Sequence, residues 1–465
     1  MMEKKNKQSG FTLIEALTLL FLFSVITISF YSTWSLGTQH MLDARNRLGA
    51  SALANQKMEI IRSLPYDDIG TKNWNGSAWV YGIPGGDILE YETLSSNNSS
   101  YVVHTVVRYI DDPFDGTVSG SPSDAAPTDY KSIRLSVSWG SFGATHEVVT
   151  FSTVSPEGVE SSSNTGVLSI NVLDATGSGV PGATVQVINT NLGVNFTDIT
   201  DTTGNLLRLG AVPDGQNYQI LVSKSGYYGG QTYPLPPASS FDPLDIHASV
   251  VAGAVNQKSL VIDENADITL QTKDPFGIPI PDIDFTLSGG RQLGTTIGTT
   301  PAVPVYAFSQ ADDTGGSGSI TYADESYGSY LFLLDPSEAK YEIFHQSAAT
   351  ETAEETIEVL PGETKTAAVT LLDTTFSSLL VSVKDSVSAA GIASASVRVT
   401  NASLAYDVTA VTNQNGQVFF PTALPALAAG TYDIEVTSAG YATNTDTVVI
   451  GGSSLEKKTI NLTPI

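Results

Sequence analysis

Apolar residues are concentrated near the start of the chain, from Phe11 to Trp34, in the run FTLIEALTLLFLFSVITISFYSTW. This run contains one charged residue, Glu15, and neither proline nor glycine. As a helix it is about 36 Å long, which is enough to cross the ~30 Å hydrocarbon core of a membrane. The pattern therefore predicts a membrane-spanning helix.

The helical pattern continues beyond the apolar run. No proline occurs between Phe11 and Leu64, and from His40 onward apolar residues recur every three or four positions, as on one face of an amphipathic helix. Pro65 ends the pattern. We predict one helix over residues 11–64, whose second half packs on a globular domain through Met41, Ala44, Leu48, Ala52, Met58 and Ile61.

Residues 65–154 show the alternation of apolar and polar positions that is typical of half-buried strands. The clearest runs are Tyr101–Tyr109, Ile133–Trp139 and Glu147–Thr153. We predict a head domain in which three or four such strands pack on the second half of the helix. A polar linker over residues 155–165 follows.

The remainder of the chain contains a repeat, because three ordered blocks recur at a near-constant offset. The first copy is marked by Gly179, Thr200, Gly204 and Tyr218, and the last copy by Gly391, Thr412, Gly416 and Tyr432. A looser copy between them is marked by Gly277, Thr314, Gly318 and Tyr330. Each copy alternates like strands around short turns, which indicates β-sandwiches.

These patterns predict a multidomain, mainly β protein with a long N-terminal helix, a β head and about three tandem β-sandwiches. The predicted sandwiches cover residues 166–250, 258–372 and 376–465. The repeated pattern G-x-P-x-x-x-V-x-V, T-D-x-x-G and Y-x-I-x-V-x-x-x-G-Y resembles carboxypeptidase regulatory-like, transthyretin-like domains, which occur in tandem on bacterial surface proteins.

Composition narrows the range of functions. The 465-residue chain carries a formal charge of −26, and such a surface repels nucleic acid, so we expect no nucleic-acid partner. It contains no cysteine, which excludes disulfides, thiolate metal sites and cysteine catalysis. The five histidines are scattered without metal-ligand spacing, and no phosphate-binding loop or G-x-S-x-G motif occurs. We therefore expect no enzymatic activity.

The first ten residues are polar and basic, with Lys4, Lys5 and Lys7. The positive-inside rule places this end in the cytoplasm and the head outside. A secretory signal peptide needs a small-residue cleavage site after its apolar run, and none is convincing here. A plain membrane anchor explains the helix but not Glu15, because a carboxylate at the centre of a membrane helix costs about 2.5–3.5 kcal/mol on insertion scales.

The run from Gly10 to Glu15, GFTLIE, resembles the cleavage motif of type IV prepilins and type II secretion pseudopilins. The resemblance implies that a prepilin peptidase removes residues 1–10, cutting between Gly10 and Phe11, and methylates the new amino group of Phe11. It also implies that Glu15 pairs with that amine on a neighbouring pilin subunit during filament assembly. Before assembly the chain would be a single-pass inner-membrane protein, and afterwards part of an extracellular filament at the cell surface.

Three functions are compatible with this N-terminus. The first is a minor pilin that displays its sandwiches for adhesion, and the alternative is a pseudopilin of a type II secretion or DNA-uptake apparatus. The third is an anchored surface protein that never assembles.

A displayed domain could bind a glycan as its ligand. Such a ligand would be held by aromatic residues such as Trp74, Trp79, Tyr227 and Tyr228, although such residues also fill cores and cap sheet edges.

Asp111, Asp112 and Asp115 form an acidic segment between two predicted strands, with Asp124 and Asp129 following. Carboxylate oxygens are calcium ligands, so these residues are weak candidates for a calcium site. The spacing does not match an EF-hand, because no glutamate closes the loop. The alternative is a solvated turn in which aspartate serves turn geometry. We expect no other metal or cofactor.

Some surface sandwiches of Gram-positive pilins contain a Lys–Asn isopeptide bond promoted by a carboxylate. The third copy offers Lys384, Glu435 and Asn461 for such a bond. Strand alternation places each of these side chains on the face opposite its apolar neighbours, whereas the bond requires all three groups to be buried together. The pattern therefore argues against the bond.

Overall fold

The computed structural model describes residues 12–96, 99–114, 116–118, 120, 124, 127–141, 144–156, 165–344 and 354–465. Within these ranges the chain is mostly β, with one long N-terminal helix followed by several β-sandwich-like sheets. The predicted fold class is therefore confirmed.

Helix α1 runs from Leu13 to Arg62, with Thr12 as its N-cap and Ser63 as its C-cap. It ends where Pro65 requires it to end. Only two of the six predicted contact residues pack on the head. Met58 and Ile61 are buried against the head, but the other buried positions are Ala50 and Ala54, which are small and allow the helix to approach the sheet closely. The predicted contacts that are exposed instead are Met41, Ala44, Leu48 and Ala52.

The head consists of strands β1 to β7, and the central pair, β5 and β6, contains the long runs predicted from the sequence. Sheet β4-β5-β6-β7 is antiparallel and packs on α1 through one face. Its buried residues include Val103, Ile133 and Leu135. The strands are β1 Thr71–Trp74, β2 Trp79–Tyr81, β3 Ile88–Leu89, β4 Tyr91–Ser96, β5 Ser99–Ile110, β6 Tyr130–Ser141 and β7 Ala144–Val154.

Sandwich 1 places β11-β8-β17 against a sheet that contains β14-β12-β9-β10. Its strands are β8 Gly166–Leu173, β9 Thr184–Asn189, β10 Val194–Ile199, β11 Asn205–Ala211, β12 Asp214–Ser223, β13 Tyr227–Tyr228, β14 Gly230–Gln231, β15 Phe241–Pro243, β16 Ala248–Val250, β17 Val255–Val261 and β18 Asp263–Glu264.

Sandwich 2 places β22-β19-β26-β24 against β20, β21, β23 and β25, and sandwich 3 places β30-β27-β33 against β29-β28-β31-β32. The strands are β19 Ala266–Lys273, β20 Asp284–Thr296, β21 Pro304–Asp313, β22 Ser319–Glu325, β23 Gly328–Leu334, β24 Tyr341–Ile343, β25 Glu354–Val359, β26 Thr364–Asp373, β27 Ser378–Asp385, β28 Ser396–Asn401, β29 Tyr406–Val411, β30 Gln417–Phe420, β31 Gly430–Thr437, β32 Asn444–Ile450 and β33 Leu455–Leu462. Short 3-10 turns lie at Tyr66–Asp68, Pro336–Glu338 and Ala402–Leu404.

All three sandwiches share one topology. A strand near the start of each pairs in parallel with a strand at its end: β8 with β17, β19 with β26 and β27 with β33. This pairing corrects a boundary, because Val255–Val261 completes sandwich 1 and its Leu260 lies in that core. The sequence pattern predicts instead that sandwich 1 ends at residue 250 and that sandwich 2 begins at residue 258.

The repeat residues occupy equivalent positions in the three sandwiches. The hydroxyl of Thr200 accepts a hydrogen bond from the Ala183 amide and donates one to the Val180 carbonyl. Thr412 makes the same two bonds, to Ala395 and Ile392. The repeated tyrosines are buried at their rings, and each donates its hydroxyl to a nearby backbone carbonyl: Tyr218 to Val212, Tyr330 to Ser326 and Tyr432 to Ala428.

Direct contacts join successive domains. Strand β2 of the head pairs with β10 of sandwich 1, and Ile83 of the head lies in the core of that sandwich. Strand β15 pairs with β20 of sandwich 2. The rings of Phe276, Phe376 and Phe419 meet between sandwiches 2 and 3.

Candidate functional site

The N-terminal half of α1 is an apolar surface without a covering partner in the described part of this single chain. Large side chains around its whole circumference are exposed, including Leu13 at 82%, Phe21 at 70% and Phe30 at 67%. The helix is long and apolar enough, by length and composition, to cross a membrane. Burying such side chains in lipid or against other helices is strongly favourable.

Glu15 takes part in the first turn of this helix. Its backbone amide donates to the Thr12 hydroxyl at 3.3 Å, while its carboxylate accepts from the Thr12 amide at 3.0 Å and from the Thr12 hydroxyl at 2.9 Å. This reciprocal capping box directs the carboxylate towards the N-terminus of the helix. Gly10 and Phe11, the predicted cleavage and methylation residues, lie outside the described residues.

Polar contacts near the middle of α1 hold it on the head. Asp43 accepts a hydrogen bond from the Trp139 indole at 3.2 Å. The backbone carbonyl of Asn46 accepts one from the Tyr101 hydroxyl at 3.2 Å. Residues 13–42 precede these contacts and amount to about 45 Å of helix. The head therefore holds the second half of the helix and leaves the apolar half free for other partners.

The acidic segment of the head brings together a different set of carboxylates from the predicted one. Asp111, Asp124 and Asp129 each have an oxygen within 4.8 Å of the others. Asp112 is not in this group; its Oδ1 accepts a hydrogen bond from the Phe114 amide. Asp115 lies outside the described residues. The chain folds back so that the distant Asp129 meets Asp111, a contact that local spacing does not show. Calcium binding by this segment stays a prediction.

The three isopeptide candidates are not buried together. Lys384 and Asn461 are register partners on β27 and β33, but Asn461 is exposed and Lys384 is only half-buried. Glu435 lies on the opposite sheet and is exposed near Arg398. The strand alternation predicted for these residues is confirmed.

The aromatic residues named for a glycan fall into two pairs. Trp74 and Trp79 are register partners on the β1–β2 hairpin, with ring centroids 5.4 Å apart, and both are exposed. Tyr227 and Tyr228 are half-buried in β13, which pairs with β18 at the end of sandwich 1. Burial raises the pKa of Tyr228. The first pair is available to a ligand and the second is largely used in packing.

A cleft of about 850 Å³ between the head and sandwich 1 was not anticipated from the sequence. Asp198 of sandwich 1 lies there between Arg108 of the head and the buried Arg208. Burial lowers the pKa of Arg208 to about 10, against the raising effect of Asp198, and the guanidinium stays charged at neutral pH. Nothing in the local pattern marks these residues, because they come from strands far apart in the sequence.

No protein-family model and no curated protein sequence matches this chain. Among solved structures, the Bacillus anthracis TIE protein is 16% identical, with 84% of this chain and 72% of that chain covered and a TM-score of 0.20. A Streptococcal ancillary pilin is 12% identical over 65% of this chain and 99% of that chain, with a TM-score of 0.19. GBS52, the minor pilin of Streptococcus agalactiae, is 14% identical over 45% and 96%, with a TM-score of 0.22. At these TM-scores the likeness carries no argument about function.

Proposed function

We propose that this chain is a minor pilin, a structural subunit of a type IV pilus-like filament that displays its β-sandwiches for adhesion. The observation that carries the proposal is the exposed apolar half of α1 on a chain whose other domains each have a buried core. That half-helix requires lipid before assembly and neighbouring helices after it.

The acidic residue in this helix supports assembly over simple anchoring. Glu15 lies one turn from the helix N-terminus, where a carboxylate interacts favourably with the positive end of the helix dipole. Cleavage after Gly10 would create a second positive group, the Phe11 amine, on each subunit. Pairing of Glu15 with the amine of a neighbour removes two charges from an apolar filament core, which a lone anchor does not achieve.

The size of the displayed region favours a minor subunit. Residues 166–465 form three sandwiches in addition to the head, and repeating them on every subunit would crowd a densely packed shaft. The pseudopilin alternative uses the same N-terminal helix. Immunogold labelling separates the two, since a pilin is found on filaments outside the cell.

Substitution of the acidic residue tests the proposal. We expect Glu15→Gln to leave removal of the leader intact, with Phe11 as the mature N-terminus, but to abolish incorporation into sheared filaments. Glu59→Gln is the matched control, because Glu59 lies on the same helix and is 73% exposed in a surface ion pair. Normal incorporation of the Glu15→Gln protein, or a mature N-terminus other than Phe11, would contradict the proposal.

A further inference from the structure

The cleft between the head and sandwich 1 is enclosed by the outer faces of two sheets. One wall is the face of the head sheet that points away from α1, and it carries Tyr91, Arg134 and Phe151. The other wall is the outer face of β9 and β10, which carries Gln186 and Asn195. A volume of about 850 Å³ lies within the range of sites that bind small molecules and oligosaccharide units.

The charge of the cleft differs from that of the whole chain. Three guanidinium groups, from Arg108, Arg134 and Arg208, line it together with two carboxylates, from Glu90 and Asp198. The chain as a whole carries a formal charge of −26. The lining has one guanidinium group more than it has carboxylates. Arg134 also pairs with Glu147 at 3.2 Å, but both side chains are exposed, so this pair is weak and a ligand carboxylate can compete for Arg134. Planar guanidinium groups are well suited to bind carboxylates.

Arg208 is the charged group at the base of the cleft. Its side chain is more than nine-tenths buried, and its guanidinium carbon lies 4.2 Å from the centroid of the Phe196 ring. Its Nη2 is 3.3 Å from Asp198, but within the described residues its buried Nε has no hydrogen-bond partner. A buried N–H without an acceptor is costly, so Asp198 does not satisfy this guanidinium fully, and the small exposed part of the side chain is available to a ligand oxygen.

A flat aromatic surface lies at the cleft wall. The Tyr91 ring stacks on the His104 ring, with centroids 4.3 Å apart and planes 3° apart, and Tyr91 is 56% exposed. Phe151 in the same wall is 68% exposed. Exposed ring faces pack against the C–H face of a sugar ring, while side-chain amides such as Asn195 bond to hydroxyl groups. A carboxylate of an acidic peptide would interact with the arginines but would not pack on this aromatic surface.

We propose that the cleft between the head and sandwich 1 binds an acidic oligosaccharide, with a sugar ring on Tyr91 and its carboxylate at Arg134 and Arg208. This inference extends the display role proposed above by naming a ligand class. Ligand binding is tested in solution without filaments. The binding proposal can therefore fail while the assembly proposal stands, and the assembly proposal can fail while the binding proposal stands.

The experiment uses the full-length chain in detergent and isothermal titration calorimetry at low salt. The probe is α-1,4-linked tetragalacturonate, compared with its methyl ester, which has the same rings without charge, and with tetraglutamate, which has four side-chain carboxylates without rings. We expect binding of the acidic sugar alone. Arg134→Gln and Tyr91→Ala are both surface changes, and each should weaken it about tenfold or more.

Arg398→Gln is the matched control. Arg398 also lies on the outer face of a sandwich sheet and pairs with a carboxylate, Asp407, but it is far along the chain in sandwich 3. Its replacement should leave the affinity unchanged. Absence of binding at millimolar tetragalacturonate, equal binding of the methyl ester or of tetraglutamate, or an equal loss in Arg398→Gln would each overturn the proposal.

Discussion

Arg108 of the head and Asp198 of sandwich 1 form an ion pair across the boundary between two separate hydrophobic cores. The Arg108 Nη2 lies 2.6 Å and 2.7 Å from the two carboxylate oxygens. Asp198 is buried and also faces the buried Arg208 at 3.3 Å. One carboxylate therefore bridges two guanidinium groups, one from each domain.

Removal of this carboxylate should destabilise the contact between the head and sandwich 1. Asp198→Asn leaves Arg208 buried beside Arg108 without a counter-charge, and breaking a buried pair in this way costs about 3–5 kcal/mol. Differential scanning calorimetry of the full chain should show a lower unfolding temperature for the head and sandwich 1. The control is Asp407→Asn, since the Arg398–Asp407 pair is exposed and worth about 0–1 kcal/mol. Equally small decreases in transition temperature for Asp198→Asn and Asp407→Asn would show that Asp198 is not a buried counter-charge.

Two glycines of α1 should respond differently to the same substitution. A Cβ on Gly49 would lie 2.6 Å from the buried Tyr101 hydroxyl, whereas one on Gly37 would meet nothing within 4 Å. We expect Gly49→Ala to destabilise the head by about 1–3 kcal/mol, as overpacking does. Gly37→Ala should leave its stability unchanged or slightly higher, because alanine favours the helix.

Urea unfolding followed by tryptophan fluorescence measures this difference, because all four tryptophans lie in α1 or the head. An unchanged midpoint for Gly49→Ala would show that the helix does not approach Tyr101 as closely as described.

Lys131 should make the stability of the head depend on pH in the alkaline range. Its ammonium is buried, donates to the Tyr66 carbonyl at 2.7 Å and lies 4.4 Å from the Tyr66 ring centroid. Burial lowers the pKa of Lys131 from 10.5 to about 8. Between these values the unfolded chain binds more protons than the folded chain, so stability rises with pH. Burial raises the pKa of Tyr66 to about 12, so the rise ends near pH 10, where tyrosine in the unfolded chain begins to ionise.

We expect the free energy of unfolding of the head to increase by on the order of 2 kcal/mol between pH 7.5 and pH 9.5. Lys131→Met, which replaces the ammonium with an apolar group of similar length, should remove this increase. Urea unfolding followed by tryptophan fluorescence at pH 7.5 and pH 9.5 measures the free energy of unfolding of each protein. Identical pH profiles for the two proteins would assign the effect to another group.

Local patterns in the sequence were sufficient for the elements themselves. The apolar run predicts α1, the alternation around Tyr101–Tyr109 and Ile133–Trp139 predicts the central strands of the head, and the recurring threonines and tyrosines predict the sandwiches. These features depend on neighbours a few positions apart, or on one unit repeated, and both are visible along a single chain.

Only the tertiary structure decided which of these elements meet. It turned Ala50 and Ala54 of α1, and not Leu48, towards the head, because small residues allow close packing on the sheet. It also assigned Val255–Val261 to sandwich 1 through a parallel pairing with a strand far back in the chain. The sequence determined the long apolar helix and the repeated domains by periodicity. The cleft and its buried charges depend on contacts between distant residues, which no periodicity encodes.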